Sequence, residues 1–216
     1  MNAARALRPK AVRSVRKPQQ ARSRLTRQRI LEAAVQTFEE RGFEETNTAE
    51  IARRAGIGVG TLYGYFPDKR AILLELLQAT GSEIADHVVR SLKLEDWLAG
   101  DPRACVRSLI DALFHIRRFN PGMQRILWQR YFKDPEFQAA VQAIEMRVRA
   151  AALELFQSLG ARGRLRITDY VTAGFVIYNA VEWTASRLIL GNSGADIDAA
   201  VEACSDMISR YLFVDG

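Results

Sequence analysis

The chain has 216 residues, of which 48% are hydrophobic, enough to build packed cores in one large domain or two small ones. Its longest apolar stretch, residues 173–181, is too short for a membrane span, and its basic N-terminus lacks the apolar segment of a secretory signal. Cys105 and Cys204 form a lone, widely separated pair, which is more typical of reduced thiols than of a disulfide framework. We therefore expect a cytoplasmic protein with no membrane partner.

Positive charge is concentrated near the N-terminus. Residues 1–75 hold 15 Lys and Arg against 8 Asp and Glu, whereas the remainder of the chain holds 16 against 17. The first 24 residues contain eight basic side chains and no acidic one, so we expect residues 1–23 to form a disordered basic arm. The arm either solubilises the chain or lies along DNA phosphates or in the minor groove. The best candidates for DNA contact lie nearest the folded domain: Arg22, Arg24 and Arg27.

The first strongly periodic segment predicts a helix. Its apolar residues, spaced to share one helical face, are Ile30, Leu31, Ala34, Val35 and Phe38. Gly42 is expected to end this helix because glycine commonly follows a helix C-terminus. The helix would hold two shorter helices in place, since helices of about eight residues are not stable alone in water.

Residues 46–70 predict a helix-turn-helix. Asn47 is expected to cap a short helix, with Glu50 reaching back in a variant of the capping box. The chain then turns at 56–58, where glycine tolerates positive φ. A second helix is predicted over 59–66, and Leu62 and Phe66 must be buried because they lie four residues apart on one face.

The outward face of the second helix is the predicted DNA-reading surface. Its exposed residues would be Val59, Gly60, Thr61, Tyr63 and Gly64. Thr61 can reach a base edge or a thymine methyl, and tyrosine hydroxyls can donate to phosphate oxygens. Tyr65 either contacts DNA or is partly buried beside the core. Asn47 and Thr48, which begin the preceding helix, are expected to face the DNA backbone.

A fourth helix, which follows the helix-turn-helix, is predicted over 68–93, with Asp68 as its cap. Lys69 and Arg70 fall in its first turn, where positive charges interact unfavourably with the helix dipole. Cations at these positions therefore indicate a compensating negative partner. A phosphate at this helix N-terminus would provide one. Lys69 is therefore either an ordinary solvated lysine or a phosphate contact.

The rest of the chain predicts further helices and little strand. The expected ranges, set by capping residues before proline and by glycine-containing breaks, are 102–119, 121–132, 135–159, 168–190 and 196–213. We expect the last two to form a dimer interface as half of a four-helix bundle. The stripe assigned to that interface consists of Ile197, Val201, Cys204, Ile208 and Tyr211.

A ligand pocket is expected between the five helices that run from 68–93 to 168–190. Its candidate lining residues are His115, Arg118, Trp128, Tyr131, Phe132, Tyr178 and Trp183. Aromatic residues at helical spacing also occur as plain core, so the pattern alone leaves both possibilities open. An inward Arg118 would indicate an anionic ligand, whereas an outward one would be surface charge.

The N-terminal third resembles the TetR family of transcriptional regulators. The segments that carry the resemblance are ILEAA at 30–34, FEERGF at 38–43, IA at 51–52, AGIGVGTLYGYF at 55–66 and DK at 68–69. The resemblance implies an all-α homodimer that binds a near-palindromic double-stranded operator and a small-molecule effector. It also implies a phosphate-contacting role for Lys69. We accordingly divide the chain into the arm (1–23), a DNA-binding domain (24–84, motif 47–66) and an effector-binding and dimerisation domain (85–216).

Other classes of function fit the sequence less well. Gly56, Gly58 and Gly60 superficially resemble a dinucleotide loop, but a helix precedes them and Thr61 occupies the place of the third glycine. His87 lacks nucleophile or metal-ligand spacing, as does His115, so neither an enzyme nor a cofactor or metal site is expected. A repressor released by its effector is the main prediction. The alternatives are an activator and an architectural DNA-binding protein without an effector.

Overall fold

The protein is all-helical, as the sequence predicts. The computed structural model describes the backbone of residues 17–116, 121–191 and 196–214, and the side chains of these ranges apart from 17–19, 115, 116, 121 and 189. Within these ranges the helices are α1 (Lys17–Glu45), α2 (Thr48–Arg54), α3 (Val59–Tyr63), α4 (Lys69–Ser91), α5 (Leu94–Ala99), α6 (Pro102–Ile116), α7 (Pro121–Tyr131), α8 (Pro135–Gly160), α9 (Tyr170–Leu190) and α10 (Ile197–Leu212).

Helix α1 begins earlier than the sequence predicts. It starts at Lys17, so residues 17–23 are helical rather than disordered, while residues 1–16 lie outside the described part of the chain. Pro18 is tolerated in a first helical turn, and adding residues to an existing helix is far easier than starting one. At the other end the expected break is present, because Gly42 has φ 76° and ψ 168°.

An N-terminal core holds the helix-turn-helix. Helix α1 contributes Ile30, Ala34 and Phe38, which are fully buried against residues of α2, α3 and α4. The core is not confined to the predicted DNA-binding domain, since Met123 of α7 and Phe137 of α8 belong to it. The predicted DNA-binding and effector-binding regions are therefore packed together through shared apolar contacts.

The connection after α4 contains a helix that the sequence did not predict. Helix α4 ends at Ser91, and the six-residue α5 follows because Trp97 anchors it in a second core. The Trp97 indole N–H donates to the Ser91 carbonyl at 2.8 Å, and its ring centroid lies 6.4 Å from that of Phe213. Burying the large tryptophan outweighs the weak intrinsic stability of so short a helix.

The apolar stripe of α10 is buried within the chain, which corrects the prediction that it forms the dimer interface. Val201, Cys204 and Ile208 have relative exposures of 1%, 8% and 4%, and they pack in the second core, to which α6 also contributes. Ile197 is partly buried against the same core. Of the predicted stripe, Tyr211 is the member that faces outward, with an exposure of 43%.

Candidate nucleic-acid interface and effector cavity

Helix α3 has one anchored face and one exposed face. Leu62 is fully buried and Phe66, just beyond the helix, is nearly so, as the four-residue spacing predicts. By contrast, Val59 and Tyr63 are 39% and 53% exposed. The smaller predicted contact residues Gly60, Thr61 and Gly64 are exposed as well. All five predicted outward residues thus form one accessible surface.

The turn between α2 and α3 fixes how α3 projects. Gly56 has φ 65°, a conformation that favours glycine, and the Ile57 N–H donates to the Ala52 carbonyl at 3.0 Å. The Arg29 guanidinium donates to the Ala55 carbonyl, which ties the end of α2 to α1. Ile57 is half-buried against the N-terminal core.

The start of α2 lies beside the exposed face of α3. Asn47 caps α2 as predicted, because its side-chain oxygen accepts the Glu50 N–H at 2.9 Å. Glu50 does not reach back to complete a capping box; it pairs with Arg53, whose hydrogen bonds lower the pKa of Glu50. The hydroxyls of Thr48 and Tyr63 are 2.9 Å apart, which joins two predicted DNA-contacting side chains into one exposed polar pair.

Lys69 has an internal role that the sequence did not predict. Its ammonium group donates to the carbonyls of Phe43, Glu44 and Thr46 at 2.7, 2.8 and 2.8 Å and lies 4.7 Å from the Phe43 ring centroid. An ammonium has three protons, and these three carbonyls use all of them. Lys69 therefore closes the C-terminus of α1 onto the start of α4, and this geometry gives no support to a phosphate contact.

Of the three predicted arginine contacts, two are exposed and one is ion-paired to a neighbouring helix. Arg22 and Arg24 are exposed on the first turns of α1. Arg27 pairs with Glu75 of α4 and lies 4.5 Å from the Phe66 ring centroid. The hydrogen bond to Glu75 raises the pKa of Arg27. This ion pair joins α1 to α4, although the Arg27 side chain remains 43% exposed. Tyr65 is half-buried against the N-terminal core, which is the second of the two positions that the sequence left open for it.

A cavity of about 280 Å³, here called the aromatic cavity, lies between α4, α7, α8 and α9. Five of the predicted pocket residues line it: Trp128, Tyr131, Phe132, Tyr178 and Trp183. The other two predictions, the His115 side chain and Arg118, fall outside the described part of the chain. Sequence analysis did not predict the polar lining residues Gln124, Glu145 and Glu182. Polar residues on a long helix are usually solvent-exposed, so their pattern does not indicate a cavity.

The aromatic side chains of this cavity form one stacked cluster. Trp128 stacks on Trp183 with ring centroids 4.9 Å apart and planes 20° apart, and Tyr131 meets Trp128 edge-on at 5.5 Å. The Trp128 indole N–H donates to the Ser186 hydroxyl at 3.1 Å, which fixes the orientation of the central ring. Phe132 lies at the rim and is 69% exposed, so the cluster extends to the surface.

A second cavity of about 130 Å³, here called the apolar cavity, adjoins the first. Its walls come from α4, α5, α6, α8, α9 and α10 and are almost entirely aliphatic or aromatic, with Val88, Trp97 and Ile110 among them. Ile84, Ile144, Tyr178 and Glu182 border both cavities. The two volumes together lie near the lower end of the roughly 300–1,000 Å³ typical of small-molecule sites.

Helix α7, which carries the aromatic wall, is held at both ends by α1. At its N-terminus the Glu39 carboxylate accepts the N–H groups of Gly122 and Met123 at 3.0 and 2.6 Å. Near its C-terminus the Arg130 guanidinium pairs with Glu44 and lies 4.1 Å from the Phe43 ring centroid. Phe43 and Glu44 are also two of the three residues whose carbonyls Lys69 binds. Contacts thus run from the cavity wall to the helix-turn-helix.

A second link joins α4 to α8. Arg70 binds Asp134, the N-cap of α8, at 2.6 and 2.8 Å and Glu136 at 2.7 Å. The hydrogen bonds that Arg70 donates lower the pKa of Asp134 to about 2, and the same bonds to Asp134 and Glu136 raise the pKa of Arg70. This pairing explains why a cation occupies the first turn of α4.

Within the described ranges, none of the helices is long and apolar enough to cross a membrane. The same part of the chain contains no group of three or more His, Cys, Asp or Glu side chains placed to hold a metal ion.

Two family models match the chain. The one described as bacterial regulatory proteins, tetR family, covers residues 30–76, which include α2 and α3. The one described as tetracyclin repressor-like, C-terminal domain, covers residues 101–212, more than half of the chain.

Two curated relatives are described as transcriptional regulators. The HTH-type transcriptional regulator TtgR of Pseudomonas putida is 37% identical over 90 residues, which are 42% of this chain and 41% of that protein. The match therefore spans about two fifths of that relative's length. The HTH-type transcriptional regulator AcrR of Shigella flexneri is 27% identical over 136 residues, 62% of this chain and 60% of that protein.

Solved structures share the fold. SmeT, the repressor of the Stenotrophomonas maltophilia multidrug efflux pump SmeDEF, superposes with a TM-score of 0.71 at 19% identity, over 88% of this chain and 91% of that one. The TetR family transcriptional regulator PfmR from Thermus thermophilus superposes with a TM-score of 0.66 at 22% identity, over 84% and 97%. These four proteins are described as regulators or repressors of transcription and not as enzymes.

Proposed function

Because the chain belongs to the TetR family of bacterial regulatory proteins, we propose that it is a homodimeric repressor, released from a near-palindromic operator by a small molecule. The observation that carries the proposal is the pairing of an exposed, small and hydroxylated face on α3 with a ligand-sized cavity whose wall, α7, is bonded directly to α1. Such a protein acts in the cytoplasm, where its operator is.

The proposed DNA contacts follow from which side chains are accessible. They comprise the exposed face of α3, the start of α2 and the first turns of α1, namely Val59, Gly60, Thr61, Tyr63, Gly64, Asn47, Thr48, Arg22 and Arg24. Thr61 reads a base edge, and the Thr48–Tyr63 pair donates to the phosphate backbone. Gly60 has no atom within 4 Å of the position of a Cβ, so DNA can approach α3 closely there. Arg27 and Lys69 support this surface from inside.

The proposed dimer interface uses outward faces of α9 and α10. Val171 and Val176 of α9 are 59% and 50% exposed, and Met207 of α10 is 52% exposed, with Tyr211 four residues further on. Exposed apolar residues on two adjacent helices are a common sign of a protein interface. Pairing these faces with a second copy would form the four-helix arrangement that the sequence predicts. Binding to successive major grooves requires the two α3 helices of the dimer to lie about 34 to 36 Å apart.

Release is proposed to work through the position of α7. A ligand that preferentially stabilises another placement of the aromatic wall would displace the end of α1, because Glu39 and Arg130 connect the two helices. That end of α1 is bound by Lys69 at the start of α4. The chain continues from it directly into α2. A change in the separation of the two α3 helices then lowers operator affinity by coupling between the two sites.

The proposal is tested by selecting binding sites from random duplexes and then measuring affinity for the selected duplex. We expect a single near-palindromic site, a dimer by sedimentation, and loss of specific binding in Thr61→Ala. Thr168→Ala, which alters an equally accessible threonine before α9, is the matched control and should bind as the parent does. A single-subunit particle, or uniform footprints over all sequences, would contradict the proposal, and the latter would favour an architectural role.

A further inference from the structure

Ile144 of α8 separates the internal spaces of the molecule. It lines the aromatic cavity, the apolar cavity and a third cavity of about 230 Å³ between α4 and α8. Among the described lining residues, Ile144 is the one that all three cavities share. Ile84, Tyr178 and Glu182 stand beside it on the boundary between the first two. The size of each space therefore depends on where this one side chain lies.

Gly81 of α4 determines the position of Ile144. A Cβ added at Gly81 would overlap Cδ1 of Ile144 and would lie 3.2 Å from its Cγ1. Glycine in the interior of a long helix is less stable than alanine, and the close approach of Ile144 gives it a structural reason here. Cδ1 is the free end of its side chain, so a methyl group at position 81 would displace Ile144 without separating the two helices.

The apolar cavity has room for about six carbon atoms. Its volume is about 130 Å³, slightly less than the roughly 150 Å³ of an engineered apolar cavity that stays dry and binds benzene. An apolar group that enters this cavity gains by leaving water, and the gain stops once the group is longer than the space available. Ile144 stands where a longer group would have to continue into the aromatic cavity.

From this geometry we propose that Ile144, seated on Gly81, sets the size of the ligand that the protein accepts. The effector places a compact apolar group of about six carbons in the apolar cavity, and Ile144 stops a longer one. The inference rests on the proposed function in that it takes these cavities to be the effector site. It adds a size limit and the pair of residues that imposes it.

Straight-chain alcohols measure this limit directly. The series from 1-butanol to 1-octanol is neutral and varies only in length, and each member is titrated calorimetrically into the full-length protein below its solubility limit. We expect affinity to rise about fourfold for each added carbon up to 1-hexanol, the effect of burying one more CH₂ group. From 1-hexanol to 1-octanol the affinity should stay level. A continued rise through 1-octanol, or no binding of any alcohol, overturns the inference.

Truncation of Ile144 should remove the limit. In Ile144→Ala the apolar cavity opens into the aromatic cavity, so 1-octanol should bind about tenfold more tightly than 1-hexanol. Val141→Ala is the matched control, because Val141 lies three residues earlier on α8 and lines the aromatic cavity but not the apolar one. The control should bind both alcohols equally, as the parent does. The same ratio of affinities in the two variants overturns the inference.

The role of Gly81 is tested in two backgrounds. Gly81→Ala should lower affinity for 1-hexanol about fourfold in the parent, because the displaced Cδ1 of Ile144 takes the room of about one carbon. Ile144→Val lacks that atom, so Gly81→Ala should have little effect there. An equal effect in both backgrounds overturns the assignment of the pair. Ile144→Val loses a single methyl group, so this comparison does not depend on the folding of Ile144→Ala.

Operator binding without any alcohol separates the two proposals. A protein that selects no near-palindromic duplex contradicts the proposed function, whereas the level affinity beyond 1-hexanol would still support the size limit, since those titrations contain no DNA. A protein that binds its operator but shows a continued rise through 1-octanol keeps the proposed function and overturns the size limit.

Discussion

Glu39 offers the sharpest test of how the two halves of the molecule are joined. Its carboxylate accepts two N–H groups at the N-terminus of α7, at 3.0 Å from Gly122 and 2.6 Å from Met123. Glu39→Gln preserves the size of the side chain but replaces one acceptor oxygen with an NH₂ group. That group faces a backbone N–H, so one donor of α7 loses its partner.

The expected cost follows from these two contacts. Leaving one partly buried N–H unpaired costs about 1–3 kcal/mol. Losing the negative charge at a helix N-terminus costs roughly 0.3–1 kcal/mol more. We therefore expect Glu39→Gln to lower the free energy of unfolding by about 2 kcal/mol, which corresponds to a fall in Tm of about 4–8 °C for a chain of this size.

The measurement is urea and thermal unfolding at one fixed protein concentration, because stability of a dimer depends on concentration. Glu32→Gln is the matched control: Glu32 lies on the same helix, and its carboxylate accepts from the exposed Gln28 amide instead of from α7. The control should change stability by less than about 0.5 kcal/mol. Equal stability of the two variants would refute the reasoning that Glu39 holds α7 to α1.

Three further predictions concern other contacts. Lys69→Met should lower Tm and operator affinity but leave the slope of log affinity against log salt unchanged, whereas a phosphate contact would reduce that slope by about one. Asp134 has its pKa lowered from 3.8 to about 2, so its arginine partner stabilises the fold above pH 3.8 and progressively less as pH falls toward 2. Asp134→Asn should therefore lose part of the parent's acid sensitivity in that window by circular dichroism, while Asp206→Asn, in an exposed pair on α10, should retain it. Met207→Asp should yield monomers by sedimentation, whereas Met146→Asp, at a methionine of similar exposure on α8, should remain dimeric.

Local spacing was enough to predict the helix-turn-helix. Leu62 and Phe66 lie four residues apart, and glycine at 56 permits the positive φ of the turn, so sequence neighbours alone determine which face of α3 is buried. The role of Lys69 could not be predicted in this way, since its three acceptors are backbone carbonyls more than twenty residues earlier in the chain. Carbonyl groups carry no signature in a sequence.

The C-terminal region shows a different limit of sequence reasoning. The stripe Val201, Cys204 and Ile208 correctly indicates a buried face, but amphipathicity does not say whether the covering surface belongs to the same chain or to a partner. In the structure, the chain's own second core covers it. The aromatic lining of the cavity was predicted because its side chains are large and apolar. The position of Glu182 in the lining depends on how the helices pack and was not predicted.

Helix α3 divides its residues between two tasks. Leu62 attaches it to the scaffold, while Val59, Gly60, Thr61 and Gly64 face outward and lie outside the core. Substitutions at Val59, Gly60 and Thr61 should leave folding intact, whereas a Cβ at Gly64 would lie 3.2 Å from the Thr61 carbonyl oxygen, so the proposed DNA preference can be rewritten at three codons. One protein architecture can in this way be recruited to new promoters while the rest of the chain stays unaltered.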